Sequence, residues 1–284
     1  MKPHEQDGGQ TLYVQNTQQL QRTHLELIAA LRRIDMVCRE LSITYWVDSG
    51  TLLGSVRHSG FIPWDDDVDL CMLREDQERF VMCAPPLLGE RYTVQTSRDD
   101  ASIPAAQTKI YINGTHTRDT HPDGPTPRHD ELFVDIFIMD RVSRFATVRR
   151  LDRILAWFVI QRPFAKSMAA SSMSMSLKVR LGLRVLVHSP HWVIALFRQW
   201  IDWRSTRRDG ALLGLDLAGL YGGFIYRHET IFPLGEGCFA DLKVPIPCNT
   251  HAYLTSEFDS NYMDLPPLDE RRSKHFCDIS FDET

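Results

Sequence analysis

At 284 residues, 43% of them hydrophobic and 24% charged, the chain is long and apolar enough to bury a real core, which excludes a disordered polypeptide. Its formal net charge of −5 makes nucleic acid a poor partner, because an acidic surface repels a duplex and no recognition motif is present. No uncharged apolar run reaches the ~18 residues of a membrane span, and the polar start lacks the basic-then-apolar pattern of a signal peptide.

In chain order, residues 1–15 read as a flexible terminus. Residues 16–41 follow as an amphipathic helix, with Leu20, Leu27, Ile28, Leu31, Ile34, Cys38 and Leu41 at helical spacing and a capping box from Asn16 to Gln19. Ile43 to Val47 is β-branched and aromatic, hence a strand. Gly50 opens a turn and short helix holding Leu52 and Leu53. Gly60 and Pro63 make a loop into an acid-bearing strand that runs through Asp67-Val68-Asp69 to Met72. A helix from Arg74 to about Cys83 is stopped by Pro85-Pro86. Strands are expected at residues 92–95, 109–112 and 132–138, with a long polar loop over about 116–130 of the kind that covers a site. Residues 141–208 carry fourteen Lys and Arg against two acids, Asp152 and Asp202, a balance of +12 that leaves −17 for the rest of the chain. The division is then a core over 16–140, a basic helical insertion over 141–228 and a segment over 229–284 that completes the core. The six cysteines, Cys38, Cys71, Cys83, Cys238, Cys248 and Cys277, form no CxxC pair and no zinc ladder, and read as buried free thiols in a reducing cytosol.

The chemistry concentrates at Asp65-Asp66-Asp67-Val68-Asp69. On a strand, Asp67 and Asp69 point to one face while Val68 points to the other. Two carboxylates so close repel each other unless a divalent cation lies between them. Mg²⁺ takes one or two carboxylates together with substrate phosphates. An EF-hand is excluded, because Leu70 stands where that loop needs glycine and its closing Glu is absent. Asp65 and Asp66 can equally serve as a cap or a solvated turn. Asp135, the one acid in the apolar run 132–138, is costly there unless paired or bound to metal, and is a third carboxylate for the same site. One carboxylate of the three can take the proton of an attacking hydroxyl.

Gly54-Ser55 ahead of an acid-x-acid strand resembles the polymerase-β-like nucleotidyltransferase superfamily. A longer run is more specific. Tyr45-Trp46-Val47-Asp48-Ser49-Gly50-Thr51-Leu52-Leu53-Gly54, with Arg57 and then Phe61-Ile62-Pro63-Trp64-Asp65-Asp66-Asp67-Val68-Asp69, resembles the hallmark of the LicD/fukutin-related phosphotransferase family. Phe133 to Phe137 resembles its second acidic strand, Ala106 to Ile110 its basic strand, and Asn261 to Pro267 with Arg271, Arg272 and His275 its carboxy-terminal run. One turn departs: Phe258-Asp259-Ser260-Asn261-Tyr262 stands where Tyr-Gly-Asp before an aromatic is expected.

The resemblance implies an α+β fold, with a polymerase-β-like nucleotidyltransferase core of mixed sheet and helices plus the helical insertion. It implies metal-dependent transfer of phosphocholine, or a related phospho-alcohol, from a CDP-alcohol donor to a sugar hydroxyl of a glycan or its lipid-linked precursor, releasing CMP. On that analogy Asp67, Asp69 and Asp135 hold Mg²⁺ or Mn²⁺. Gly54 and Ser55 cradle donor phosphates, and Arg57, Lys109, Arg271, Arg272 and His275 supply charge toward them. Trp46 and Trp64 stack on the base or enclose a quaternary ammonium, although each can also be a core aromatic. The basic residues 141–208 suit an anionic membrane or a solvated face. The lack of an anchor segment leads to the expectation of a cytoplasmic protein, with room for peripheral contact at the inner membrane face. Two other classes compete: an Asp-x-Asp nucleotide-sugar glycosyltransferase, and a catalytically inactive glycan-binding member.

Overall fold

A computed structural model describes residues 8–96, 99, 103, 107–119, 130–161, 177–205, 212–215, 224–271 and 276–281. The chain opens with a 33-residue helix, α1 (Gly8–Glu40), whose Leu27, Ala30, Leu31, Ile34, Val37 and Cys38 are buried at helical spacing. It begins at Gly8, so Asn16 lies inside the helix and does not cap it. The helix ends where Ser42 takes a left-handed φ of 51°. Strand β1 (Tyr45–Val47) is buried on both faces, then α2 (Ser49–His58) leads through the aspartate loop to β2 (Asp69–Leu73). The strand starts at Asp69, so Asp67 and Val68 belong to the loop.

Next come α3 (Arg74–Cys83), the single turn α4 (Pro85–Leu88), β3 (Tyr92–Thr96), β4 (Gln107–Ile112), β5 (Thr115–Asp119) and the long β6 (Phe133–Val142). Among the described residues the main sheet has seven strands in the order β1-β2-β6-β4-β3, with β7 (Leu212–Leu215) on the far half of β6 and β8 (Ile225–Arg227) beyond it. In this mixed α+β sheet the β2–β6 pair is parallel and the other described pairings are antiparallel. Parallel pairing sets Asp69 directly beside Asp135. A buried, two-pronged ion pair locks the sheet to α3: Arg74 Nε donates to Asp140 Oδ1 and Nη2 to Oδ2, each at 2.7 Å.

Residues 116–130 are not wholly a loop. Their first part is β5, which pairs with the last strand, β11 (Phe276–Phe281). The insertion is not wholly helical either. After α5 (Ala146–Gln161), α6 (Leu177–His188) and α7 (His191–Ser205), the chain re-enters the sheet as β7 and β8. A one-turn helix, α8 (His228–Ile231), the hairpin β9 (Gly235–Phe239) and β10 (Leu242–Ile246), and helix α9 (Thr250–Phe258) follow. No helix among the described residues is long and apolar enough to cross a membrane. Of the cysteines, Cys38 and Cys71 are buried free thiols, whereas Cys83, Cys238 and Cys248 are exposed free thiols, contrary to the uniform burial expected.

Candidate active site

A cleft of 740 Å³ opens where the β2 and β6 starts, the N-terminus of α2 and the turn after α9 meet. Asp67, Asp69 and Asp135 all line it, as the sequence predicts. Asp69 and Asp135 are buried at the strand starts. The Asp69 amide donates to Thr51 Oγ1 of α2 at 2.8 Å, and the Asp48 amide donates to the Asp69 carbonyl at 3.0 Å, so helix and strand fix each other. Burial, then the charges of Asp67, Asp135, Asp48 and Asp65, push the Asp69 carboxyl well above the usual range. That is the environment a bound cation relieves, so the donor set fits a hard divalent ion.

The tightest carboxylate group among the described residues is nevertheless Asp65, Asp66 and Asp67, whose oxygens lie within 4.8 Å of one another; Asp69 and Asp135 do not join it. Asp135 is held instead by Lys109, its antiparallel neighbour on β4, whose Nζ donates to Oδ1 at 2.8 Å and Oδ2 at 3.0 Å and sits 3.3 Å over the Phe133 ring. Lys109 therefore pairs with the third acid and does not line the cleft, where a donor phosphate was expected to meet it.

Gly54 and Ser55 are also placed differently. Both are buried and absent from the cleft wall. A Cβ at Gly54 would stand 2.4 Å from the Gly60 carbonyl oxygen, so this glycine lets α2 touch the loop that carries the aspartates. Ser55 Oγ donates to the Cys238 carbonyl at 2.9 Å and ties α2 to β9. The small residues facing the cleft are Ser49 and Gly50, at the first turn of α2, a position whose backbone amides favour anions.

Arg57 lines the cleft, donating through Nη1 to the Tyr262 and Asp264 carbonyls at 2.9 and 3.0 Å and through Nε to His58. Burial and the nearby Arg271 charge lower its pKa. Arg271 donates to the Pro266 carbonyl at 2.8 Å and lies 5.4 Å from the centre of the Trp64 ring, itself a cleft residue. Arg57 and Trp64 thus line the cleft, with Arg271 against the Trp64 ring just outside the lining. Trp46 does not: it is fully buried, edge-on to Phe232, with Nε1 donating to Tyr253 Oη at 3.4 Å, a core residue. Arg272 and His275 lie outside the described residues.

Several contributors carry no local sequence signal. His24 of α1 stacks on Phe61 at 4.0 Å and donates to the Asp65 carbonyl at 2.7 Å, bracing the aspartate loop from behind. Asp48 is wholly buried and accepts from Tyr253 Oη at 2.5 Å, linking α9 to the start of α2. Gln107, Asn261 and Leu265 also line the cleft, and the last two fall in the carboxy-terminal run Asn261 to Pro267.

Residues 42–137 match the family profile described as LicD/FKTN/FKRP, nucleotidyltransferase domain. The chain is 36% identical to the lipopolysaccharide cholinephosphotransferase LicD of Haemophilus influenzae, over 43% of this chain and 45% of that protein. It is 48% identical to the ribitol 5-phosphate transferase FKRP of Mus musculus, over 37% of this chain and 24% of that protein. An uncharacterized protein of Rickettsia prowazekii is 46% identical over 20% of this chain and 21% of its own length. The matches thus span under half the length of these relatives. The matched residues contain β1, α2, the aspartate loop, β2 and the Asp135 end of β6, so the part of the chain that carries the three acids is the part that is similar to the LicD/FKTN/FKRP nucleotidyltransferase domain.

Proposed function

We propose that the chain transfers phosphocholine, or a related phospho-alcohol, from a CDP-activated donor to a sugar hydroxyl of a glycan or a lipid-linked glycan precursor, releasing CMP. The observation that carries the reading is the convergence of Asp67, Asp69 and Asp135 on one cleft that Arg57 and Trp64 also line, with Arg271 against the Trp64 ring. The names of the relatives support it, one a cholinephosphotransferase and one a ribitol 5-phosphate transferase. The core is read as polymerase-β-like on the order of its parts, a short helix, an acidic strand and a third acid on the adjacent parallel strand.

In the reaction, the acceptor hydroxyl oxygen bonds to the phosphorus that bears the alcohol, and the bond from that phosphorus to the CMP oxygen breaks. The hydroxyl proton passes to a cleft carboxylate. A divalent ion held by Asp67 and Asp69, with Asp135 beside them, would neutralise charge on the phosphoryl oxygens. The chain's own groups do the positioning. An anion between Arg57 and Arg271 relieves their repulsion, which suits a diphosphate. The Trp64 face already accepts a guanidinium, and so suits the quaternary ammonium of choline. Lys109 holds the Asp135 carboxylate in place by its two-pronged contact.

Thermal unfolding with CDP-choline, CDP-ribitol, CDP-glycerol, UDP-glucose and GDP-mannose, each with and without Mg²⁺ or Mn²⁺, tests the reading. Ligand at 100 times its Kd adds about 2.7 kcal/mol. A metal-dependent rise in Tm with one CDP-alcohol, lost in Asp67→Asn/Asp69→Asn, is expected. A rise with a nucleotide sugar alone would assign the cleft to glycosyl transfer.

A further inference from the structure

Helix α7 is apolar on two faces. One face sends Ile194 and Phe197 into a small second core around Val142, Ala156 and Val159. The other carries Trp192, Leu196, Trp200 and Trp203, spaced i, i+4, i+8 and i+11 along one stripe, and all four are exposed; Trp192 is 65% exposed and Leu196 52%. The Trp200 and Trp203 rings lie 5.2 Å apart, and Trp200 Nε1 donates to Asp152 Oδ1 at 3.1 Å, which fixes its indole on the stripe. Helix α6 adds Leu181 and Val185, one turn apart and exposed. Exposed arginines, Arg144, Arg150, Arg153 and Arg184, accompany these groups in a segment whose balance over residues 141–208 is +12.

We propose that this face seats on an anionic bilayer, with Trp192, Leu196 and Trp203 at the boundary of headgroups and acyl chains and the arginines on the lipid phosphates. Three considerations select this occupant. Indoles with a polar N–H favour the membrane–water interface over either bulk phase. The positive charge meets its complement on an anionic leaflet, whereas a second copy would bring the same positive surface against itself. The helices are too short and too charged to cross, so the contact is interfacial. Asp135 lies seven residues, roughly 23 Å, along β6 from Val142, which packs in the second core with Ile194 and Phe197 of α7. The inference stands without any assignment of the reaction.

The test is co-sedimentation of the full chain with vesicles of phosphatidylcholine alone and of phosphatidylcholine with phosphatidylglycerol, at low and high salt. Tryptophan quenching by brominated acyl chains is read alongside. Binding to the anionic vesicles that falls with salt, with quenching, is expected, and Trp192→Glu/Leu196→Glu should lower the bound-to-free ratio about tenfold or more. If that variant loses its helical circular dichroism, Trp192→Ala/Leu196→Ala carries the same prediction. No binding at low salt overturns the proposal. So does binding that neither variant changes, and so does a concentration-dependent dimer that the same substitutions abolish.

Discussion

Replacing Gly54 by alanine distinguishes a packing glycine from a phosphate-cradling one. The new Cβ would stand 2.4 Å from the Gly60 carbonyl oxygen and 3.2 Å from the Ile62 amide, both backbone atoms. Ordinary contact begins at 3.4 Å, so the helix and the loop must part by about 1 Å. Gly60 also donates its amide to the Gly54 carbonyl at 3.3 Å, and the Asp65 amide donates to the Ile62 carbonyl at 2.9 Å, so the displacement is passed toward Asp65–Asp67. Helix propensity alone would make Gly54→Ala more stable by about 1 kcal/mol. Overpacking predicts the opposite sign, a net loss of about 1–3 kcal/mol. A displacement of about 1 Å in positioned acids costs on the order of 100-fold in rate. The assays are urea unfolding and steady-state turnover, with kcat separated from KM. Lower stability together with lower kcat is expected. A variant as stable as wild type or more so, with only the donor KM raised, would refute the reasoning and return Gly54 to the phosphates.

Three other outcomes follow from the same geometry. Because the folded Asp69 carboxyl titrates above its unfolded value, wild-type stability without metal falls as pH rises from the ordinary carboxylate range through the raised value; Asp69→Asn should flatten this slope, exceed wild type in stability at neutral pH and abolish turnover, as urea midpoints across pH 4–8 in chelator and a turnover assay in metal would show. Arg74→Met strands the buried Asp140 charge and should cost about 3–5 kcal/mol in urea unfolding, most of it recovered in Arg74→Met/Asp140→Leu; equal losses in both variants would contradict this. Trp46→Ala should cost about 3–5 kcal/mol, whereas Trp64→Ala should change stability by less than about 1 kcal/mol and raise the donor KM, measured by unfolding and by donor titration.

Much of the site was legible because its chemistry contradicts its local pattern. Asp135 stands out as an acid in an apolar strand, and Asp67 and Asp69 as acids crowded beyond what a turn requires; all three line the cleft. What the sequence could not carry is which neighbour each group meets. A glycine signals close backbone approach, but a carbonyl oxygen and a phosphate demand it equally, and at Gly54 the carbonyl is the partner. Lys109 reads as a free cation until β4 and β6 are placed in register, which sets it against Asp135. Trp46 was readable as core, since Tyr45-Trp46-Val47 has no polar alternation and such runs are covered on both faces. The start of α1 was hidden by Gly8 and Gly9, which local propensity counts against a helix. The pairing of β5 with β11 joins segments far apart in sequence, and no local pattern announces it.

The central claim is tested most directly by CMP release. CDP-choline and CDP-ribitol are each incubated with the full chain and a glycan or lipopolysaccharide acceptor, with Mg²⁺ or with chelator, beside Asp67→Asn/Asp69→Asn. The account predicts CMP formed only with metal and acceptor, from one CDP-alcohol in preference to the other, and lost in the variant. CMP release that persists in the variant or in chelator, or turnover of UDP-glucose or GDP-mannose in place of either donor, would contradict it.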